Sequence, residues 1–135
     1  MKTFSVSYFD NNATLVSPLL SQEFTEKLKQ KFIEETNLEI VSSGGDFDFS
    51  GEITGYTIAP ASAQSTDNAS VNRLTITVSV KLDCEKNPAS AFDQPFEHFE
   101  DFDANTNFST VETTLNESVT DFLVQKIFNK AAINW

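Results

Sequence analysis

Hydrophobic and polar positions alternate with period two at the start of the chain and again through its middle. Residues 3 to 9, TFSVSYF, set Phe4, Val6 and Tyr8 against Thr3, Ser5 and Ser7, the pattern of a half-buried strand. Leu20, Phe24, Leu28 and Phe32 then recur at four-residue steps, with Glu23, Lys27, Lys31 and Glu34 facing elsewhere, which predicts an amphipathic helix. Ser17 and Pro18 supply its start: the hydroxyl can accept an orphan amide bond, and Pro suits the first helical position. The helix is expected to end near Thr36 and Asn37, with LEIV at 38–41 as a short strand.

After the SSGGD turn, residues 46–60 alternate through Phe47, Phe49, Gly51 and Ile53. They then change parity at Gly55 and Tyr56, so a bulge is expected there. Residues 61–70 read as a hairpin loop. The clearest strand follows, with Leu74, Ile76, Val78, Val80 and Leu82 on one face and Arg73, Thr75, Thr77, Ser79 and Lys81 on the other. A turn at 85–90 leads to FDQPFEHFEDFDANTNFS, residues 92–109. Pro95 in its interior argues against a helix, and the irregular Phe parity marks an edge strand or a bulge. Val111, Leu115, Val119, Phe122, Leu123 and Ile127 form the stripe of a last helix, and Ser109 with Glu112 reads as its capping box. The order is βαββββα. Two amphipathic helices and a sheet with one dry face imply an α+β two-layer sandwich, both helices packed on one face of a mixed four- to five-stranded sheet.

Composition narrows the possible functions. The 135 residues match one domain spanning 1–135, able to bury roughly two thirds of its unfolded surface. The formal net charge is −11, with a single Arg and no Lys or Arg from Asn87 to Gln125, so phosphate-neutralising nucleic-acid binding is set aside. Cys84 is the sole cysteine and His98 the sole histidine, which leaves no multi-His metal site and only a weak Cys/His pair. No nucleophile, base and orienter can be assembled, so no enzyme and no cofactor is expected. No apolar run is long enough to span a membrane.

One stretch carries a sharper chemical signal. Asp101, Asp103, Asn105, Asn107, Ser109 and Glu112 fall at positions 1, 3, 5, 7, 9 and 12 of an EF-hand-like loop. Thr106 stands where the loop's sharp turn needs Gly, and Pro95 with its Phe-rich neighbours replaces the incoming helix. A calcium- or small-ligand-binding module built on 101–112 is therefore the alternative reading. Asp93, Glu97, Glu100, Asp101 and Asp103 otherwise read as a solvated edge that keeps a Phe-rich strand soluble. The sequons at Asn12, Asn68, Asn107 and Asn116 are short enough to be coincidental.

Six strings in order carry a resemblance: KTFSVSYFDNNATLVSPLLSQEFTEKLKQKF, TNLEIV, GDFDFSGEITGYTIAP, NRLTITVSVKL, FDQPFEHFEDFDA and IFNKAAINW. They resemble the Bacteroidetes-type branch of the LptE family, the lipopolysaccharide-assembly lipoproteins of the Gram-negative outer membrane. The resemblance implies an αβ sandwich and a mature domain whose signal peptide and lipid-anchor Cys lie upstream. It also implies a place on the periplasmic side of the outer membrane, docked as a plug in the LptD β-barrel and assisting lipopolysaccharide transport. In proteobacterial members basic residues between the middle strands and near the last helix are associated with lipopolysaccharide. The matching stretches, 61–72 and 103–116, hold no Lys or Arg. Arg73, Lys81 and Lys86 are left as the candidate contacts to lipopolysaccharide or partner.

Overall fold

The fold is taken from a computed structural model that describes residues 2–12, 19–61 and 71–132. In chain order the elements are β1 (Thr3–Val6), β2 (Asp10–Asn11), α1 (Leu20–Glu35), β3 (Glu39–Ile40), β4 (Phe47–Ala61), β5 (Val71–Asp83), β6 (Phe92–Asp103) and α2 (Phe108–Ala132). The sheet runs β3-β1-β4-β5-β6, with β2 paired to β4 beyond β1. β3, β1 and β4 are mutually parallel, and β4, β5 and β6 form an antiparallel meander. Both helices cover one face, so the two-layer α+β arrangement expected from the patterning is the one observed.

The first strand departs from its expected course. It stops at Val6 and resumes as β2, and Phe9, fully buried, takes the inward place assigned above to Tyr8, which is 56% exposed. The reason lies on β4. Gly51, at φ +154, has no side chain, and a Cβ built there would lie 2.9 Å from the Phe9 ring and 1.9 Å from the Ser79 carbonyl oxygen. The Phe9 N–H is held on the helix side by Thr25 Oγ1 at 3.0 Å. The chain therefore kinks to insert Phe9 where only Gly leaves room.

In α1 the stripe Leu20, Phe24, Leu28 and Phe32 is buried throughout, each side chain contributing about 1.5–3 kcal/mol relative to exposure. The expected Ser17–Pro18 start lies outside the described residues, as does most of the 61–70 hairpin loop and the sequon at Asn68. β4 carries the expected irregularity, a register shift between Ile53 and Gly55 that turns Tyr56 inward. β5 is dry on the face predicted, from Leu74 to Leu82.

The last helix differs in two places. Its cap is Asn107, whose Oδ1 accepts from the Ser109 N–H at 3.1 Å and the Ser109 hydroxyl at 3.0 Å, while Ser109 itself is already helical. The capping box expected at Ser109 and Glu112 is thus replaced by an Asn cap two residues earlier. Val119, Leu123 and Ile127 are buried as expected, but Phe122 is 51% exposed, at the rim of the helix layer. Lys27 Nζ lies 2.7 Å from Asp121 Oδ1 and Lys31 Nζ 2.7 Å from Gln125 Oε1, a constant offset of 94 residues. Two successive pairs at one offset mean that α1 and α2 run parallel, side by side.

A buried polar pair ties α2 to β4. The Tyr56 hydroxyl donates to Asn116 Oδ1 at 2.7 Å. Burial pushes the Tyr56 phenol up to about 12, and the nearby Glu112 carboxylate adds to the rise. Because the folded pKa lies above the unfolded one, stability is full below the ordinary tyrosine range and falls as pH rises towards 12. Ultraviolet titration of the phenols is expected to show one tyrosine ionising late, and Tyr56→Phe should abolish that late step. An unchanged late step would assign it elsewhere.

Candidate docking face

Among the described residues no element covers the face of the sheet opposite the helices. Register places rows of side chains across β4, β5 and β6 on it: Ser50, Lys81 and Asp93; Glu52, Ser79 and Pro95; Thr57, Thr75 and Phe99; Ala59, Arg73 and Asp101. The strands present this face because their even-numbered β5 members are committed to the core, which leaves the odd ones to solvent. With Asp48, Asp83, Glu97 and Asp103 also pointing this way, seven carboxylates share the face with two cations, Arg73 and Lys81.

Arg73 is bound in place. Its Nε and Nη2 reach Asp101 Oδ1 and Oδ2 at 2.8 and 3.2 Å, and its guanidinium lies 4.0 Å from the centre of the Phe99 ring. The hydrogen bonds from Arg73 hold the Asp101 carboxyl below the ordinary carboxylate range, and those to Asp101 raise Arg73. Lys86 sits at the far end of the sheet, its Nζ 3.0 Å from Asp46 Oδ1. Asp46 also accepts from the Lys2 and Thr3 amides at 2.8 and 3.3 Å. The Lys2 amide, followed by Lys86, holds Asp46 well below the usual range. Beside it a cavity of about 530 Å³ is lined by Gly44, Asp46, Asp48, Asp83, Cys84 and Lys86 among others. The three cations singled out by sequence are therefore not brought together. Arg73 and Lys81 lie eight residues apart on one strand, and Lys86 is in the turn beyond it.

The residues of the EF-hand-like spacing are distributed over three elements. Asp101 and Asp103 end β6, Asp101 holding Arg73 while Asp103 Oδ1 accepts from the Asn105 N–H at 2.9 Å. Asn107 caps α2, and Glu112 lies within it. Among the described residues no three His, Cys, Asp or Glu side chains are grouped to hold a metal ion. Of the sequons, Asn116 is buried with its side chain bound to Tyr56, and the Asn12 amide donates to Glu52.

β6 alternates without a break, Phe92, Phe96 and Phe102 towards the helices and Phe99 towards solvent. The irregular Phe parity is thus an outward Phe on a regular edge strand. No bulge interrupts its pairing with β5. The helix side of β6 also carries polar groups: His98 stacks on Phe122 with ring centres 4.3 Å apart, and Glu100 Oε1 accepts from Ser118 at 3.2 Å. Sequence reasoning missed the exposure of two aromatics beside β6, Phe99 and Phe122. Strict strand parity counted from Phe96 would have placed Phe99 outward.

The sequence pattern of a family described as "LptE: Lipopolysaccharide-assembly" matches residues 1–131, nearly the whole chain. The chain belongs to the LptE family. Solved structures agree on the fold. A minor lipoprotein of Acinetobacter baumannii is 14% identical with a TM-score of 0.63, covering 98% of this chain and 94% of its own. A lipoprotein B of Nitrosomonas europaea is 11% identical with a TM-score of 0.62, covering 93% and 79%. A hypothetical protein of Chlamydia trachomatis is 8% identical with a TM-score of 0.60, covering 97% and 98%. No curated protein matches the chain. At these identities the likeness establishes a shared LptE-like architecture of two helices on an open mixed sheet.

Proposed function

We propose that this LptE-family chain is the accessory and plug subunit of an outer-membrane lipopolysaccharide export translocon. It docks in an LptD-like β-barrel, assists lipopolysaccharide assembly at the cell surface, and acts without catalysis. In its native form it is lipid-anchored on the periplasmic side of the outer membrane. The family match supports the assembly role. The observation that carries the docking reading is the uncovered polar face of three long strands, since the lumen of a membrane barrel is itself polar. No described helix is long and apolar enough to cross a membrane.

The geometry also bears on lipid contact. Arg73 and Lys86 already neutralise carboxylates, whereas no ion pair engages Lys81 among the described residues, so a contact to an anionic lipopolysaccharide group falls to Lys81. Affinity purification of the full-length protein from outer membranes in gentle detergent tests the reading. Recovery of a large β-barrel is expected. Its absence would count heavily against docking.

A further inference from the structure

β6 is the last strand of the sheet, and the state of its outer edge can be worked out from its neighbours. The Thr77 carbonyl accepts from Thr54 Oγ1 on β4, so the odd residues of β5 turn their backbone groups towards β4 and the even ones towards β6. In an antiparallel ladder directly opposite residues exchange both bonds or neither. The pairs Val80 with Gln94, Val78 with Phe96, Ile76 with His98 and Leu74 with Glu100 therefore close the β5–β6 ladder. The odd residues of β6 aim their N–H and C=O at the open edge.

Two observations fit this parity. Pro95, with no N–H to give, sits at an odd position where it costs no ladder bond. The Glu97 carbonyl, also odd, receives Lys126 Nζ at 2.6 Å from α2. Proline and lysine thus blunt the first half of the edge, two of the devices by which natural sheets prevent unwanted pairing. Beyond Glu97 neither proline nor lysine covers the edge among the described residues, and the acidic side chains of Glu100, Asp101 and Asp103 guard it by charge. Phe99 and Asp101 present both backbone groups at an unpaired edge, while Asp103 offers its N–H alone, its carbonyl accepting from the Thr106 N–H at 3.0 Å. The edge is flanked by two aromatic surfaces: Phe99, 46% exposed, on one side of the sheet and Phe122, 51% exposed, on the other.

We propose that the free edge of β6 from Phe99 to Asp103 receives an extended, Lys- or Arg-bearing segment of the barrel partner by strand addition. Side chains of the added strand would alternate onto Phe99 and Phe122, while main-chain hydrogen bonds supply the pairing. Charge selects the occupant. Glu97, Glu100 and Asp103 border the edge, so a cationic strand is favoured. A second copy of this chain, at net charge −11, would place carboxylates against carboxylates. This inference rests on the barrel-docking reading above and names the surface through which it occurs.

The test compares Asp101→Pro with Asp101→Ala in the full-length lipoprotein, purified with its barrel. Both substitutions remove the carboxylate that holds Arg73, but only proline removes the outward N–H. Asp101→Pro is expected to lower barrel recovery about tenfold and Asp101→Ala about threefold. Equal losses would overturn strand addition while leaving barrel docking standing; no recovery with the wild-type chain would overturn both. A concentration-dependent dimer of the isolated chain that Asp101→Pro abolishes would assign the edge to a second copy and overturn the partner. Hydrogen exchange on the wild-type complex guards against a misfolded variant: the Phe99, Asp101 and Asp103 amides should gain protection on docking, and unchanged exchange would overturn the inference.

Discussion

Phe32→Ala is expected to lower the unfolding free energy by about 4 kcal/mol, read as a shift of the urea midpoint at unchanged slope. Phe32 is fully buried at the point where both helices meet the sheet. Its ring centre lies 5.7 Å from Phe4 on β1, 4.7 Å from Phe49 on β4 and 5.2 Å from Phe128 on α2. Truncation removes the transfer free energy of the ring and leaves a cavity walled by three other aromatics on three elements, which cannot all move inward together. Aromatic pairing adds about 0.5–1.5 kcal/mol per contact beyond area. Phe122→Ala, at the exposed rim, should cost far less. A loss below about 1 kcal/mol for Phe32→Ala would show that the layers are not joined at this ring.

Gly51→Ala is expected to be strongly damaging for so small a change, at about 3 kcal/mol. Two costs coincide there: the backbone lies at φ +154, and the new methyl would meet the Ser79 carbonyl of the neighbouring strand as well as the Phe9 ring. Neither obstacle is the free end of a flexible side chain. Gly44→Ala is the informative comparison, because Gly44 has φ +67 but nothing within 4 Å of its Cβ position. It should cost only the conformational penalty, about 1–2 kcal/mol. Thermal melting of the two variants checks the order; equal losses would mean that contact with β5 and Phe9 contributes nothing.

These sites also mark where the sequence was readable. Local period carried α1, β5, the β4 bulge and the common burial of both helices, because each depends on side chains a few residues apart. It failed where the deciding partner is distant. Nothing near Tyr8 signals that Phe9 will replace it in the core. That depends on a glycine forty-two positions later, which opens space beneath the kink. Ser109 and Asn107 both suit a cap, and the choice rests on where α2 begins relative to the end of β6. Phe122 follows the helical stripe by spacing but stacks on His98 of the last strand, at the margin of the sheet, whose width the local pattern does not encode.

The candidate site was legible in part. Parity placed Arg73 and Lys81 on the wet face, and charge counting showed the region after Asn87 to be acidic. That Arg73 is tied to Asp101 and Lys86 to Asp46 follows from strand pairing and loop closure, which composition cannot supply. The open edge of β6 is a property of the strand order and becomes visible only once β6 is known to be last.

The parallel pairing of α1 with α2 has a consequence for how the chain is made. The meander β4–β5–β6 joins segments that follow one another, so its contacts close short loops. Leu28 and Phe32, by contrast, belong to the same core as Leu123, Ile127 and Phe128, nearly a hundred residues downstream. During synthesis from the N-terminus, the first helix is therefore without its neighbour until the residues of α2, more than seventy positions further on, have been added. The core is completed when α2 packs beside α1, a high-contact-order arrangement in which the apolar face of α1 waits long for its cover.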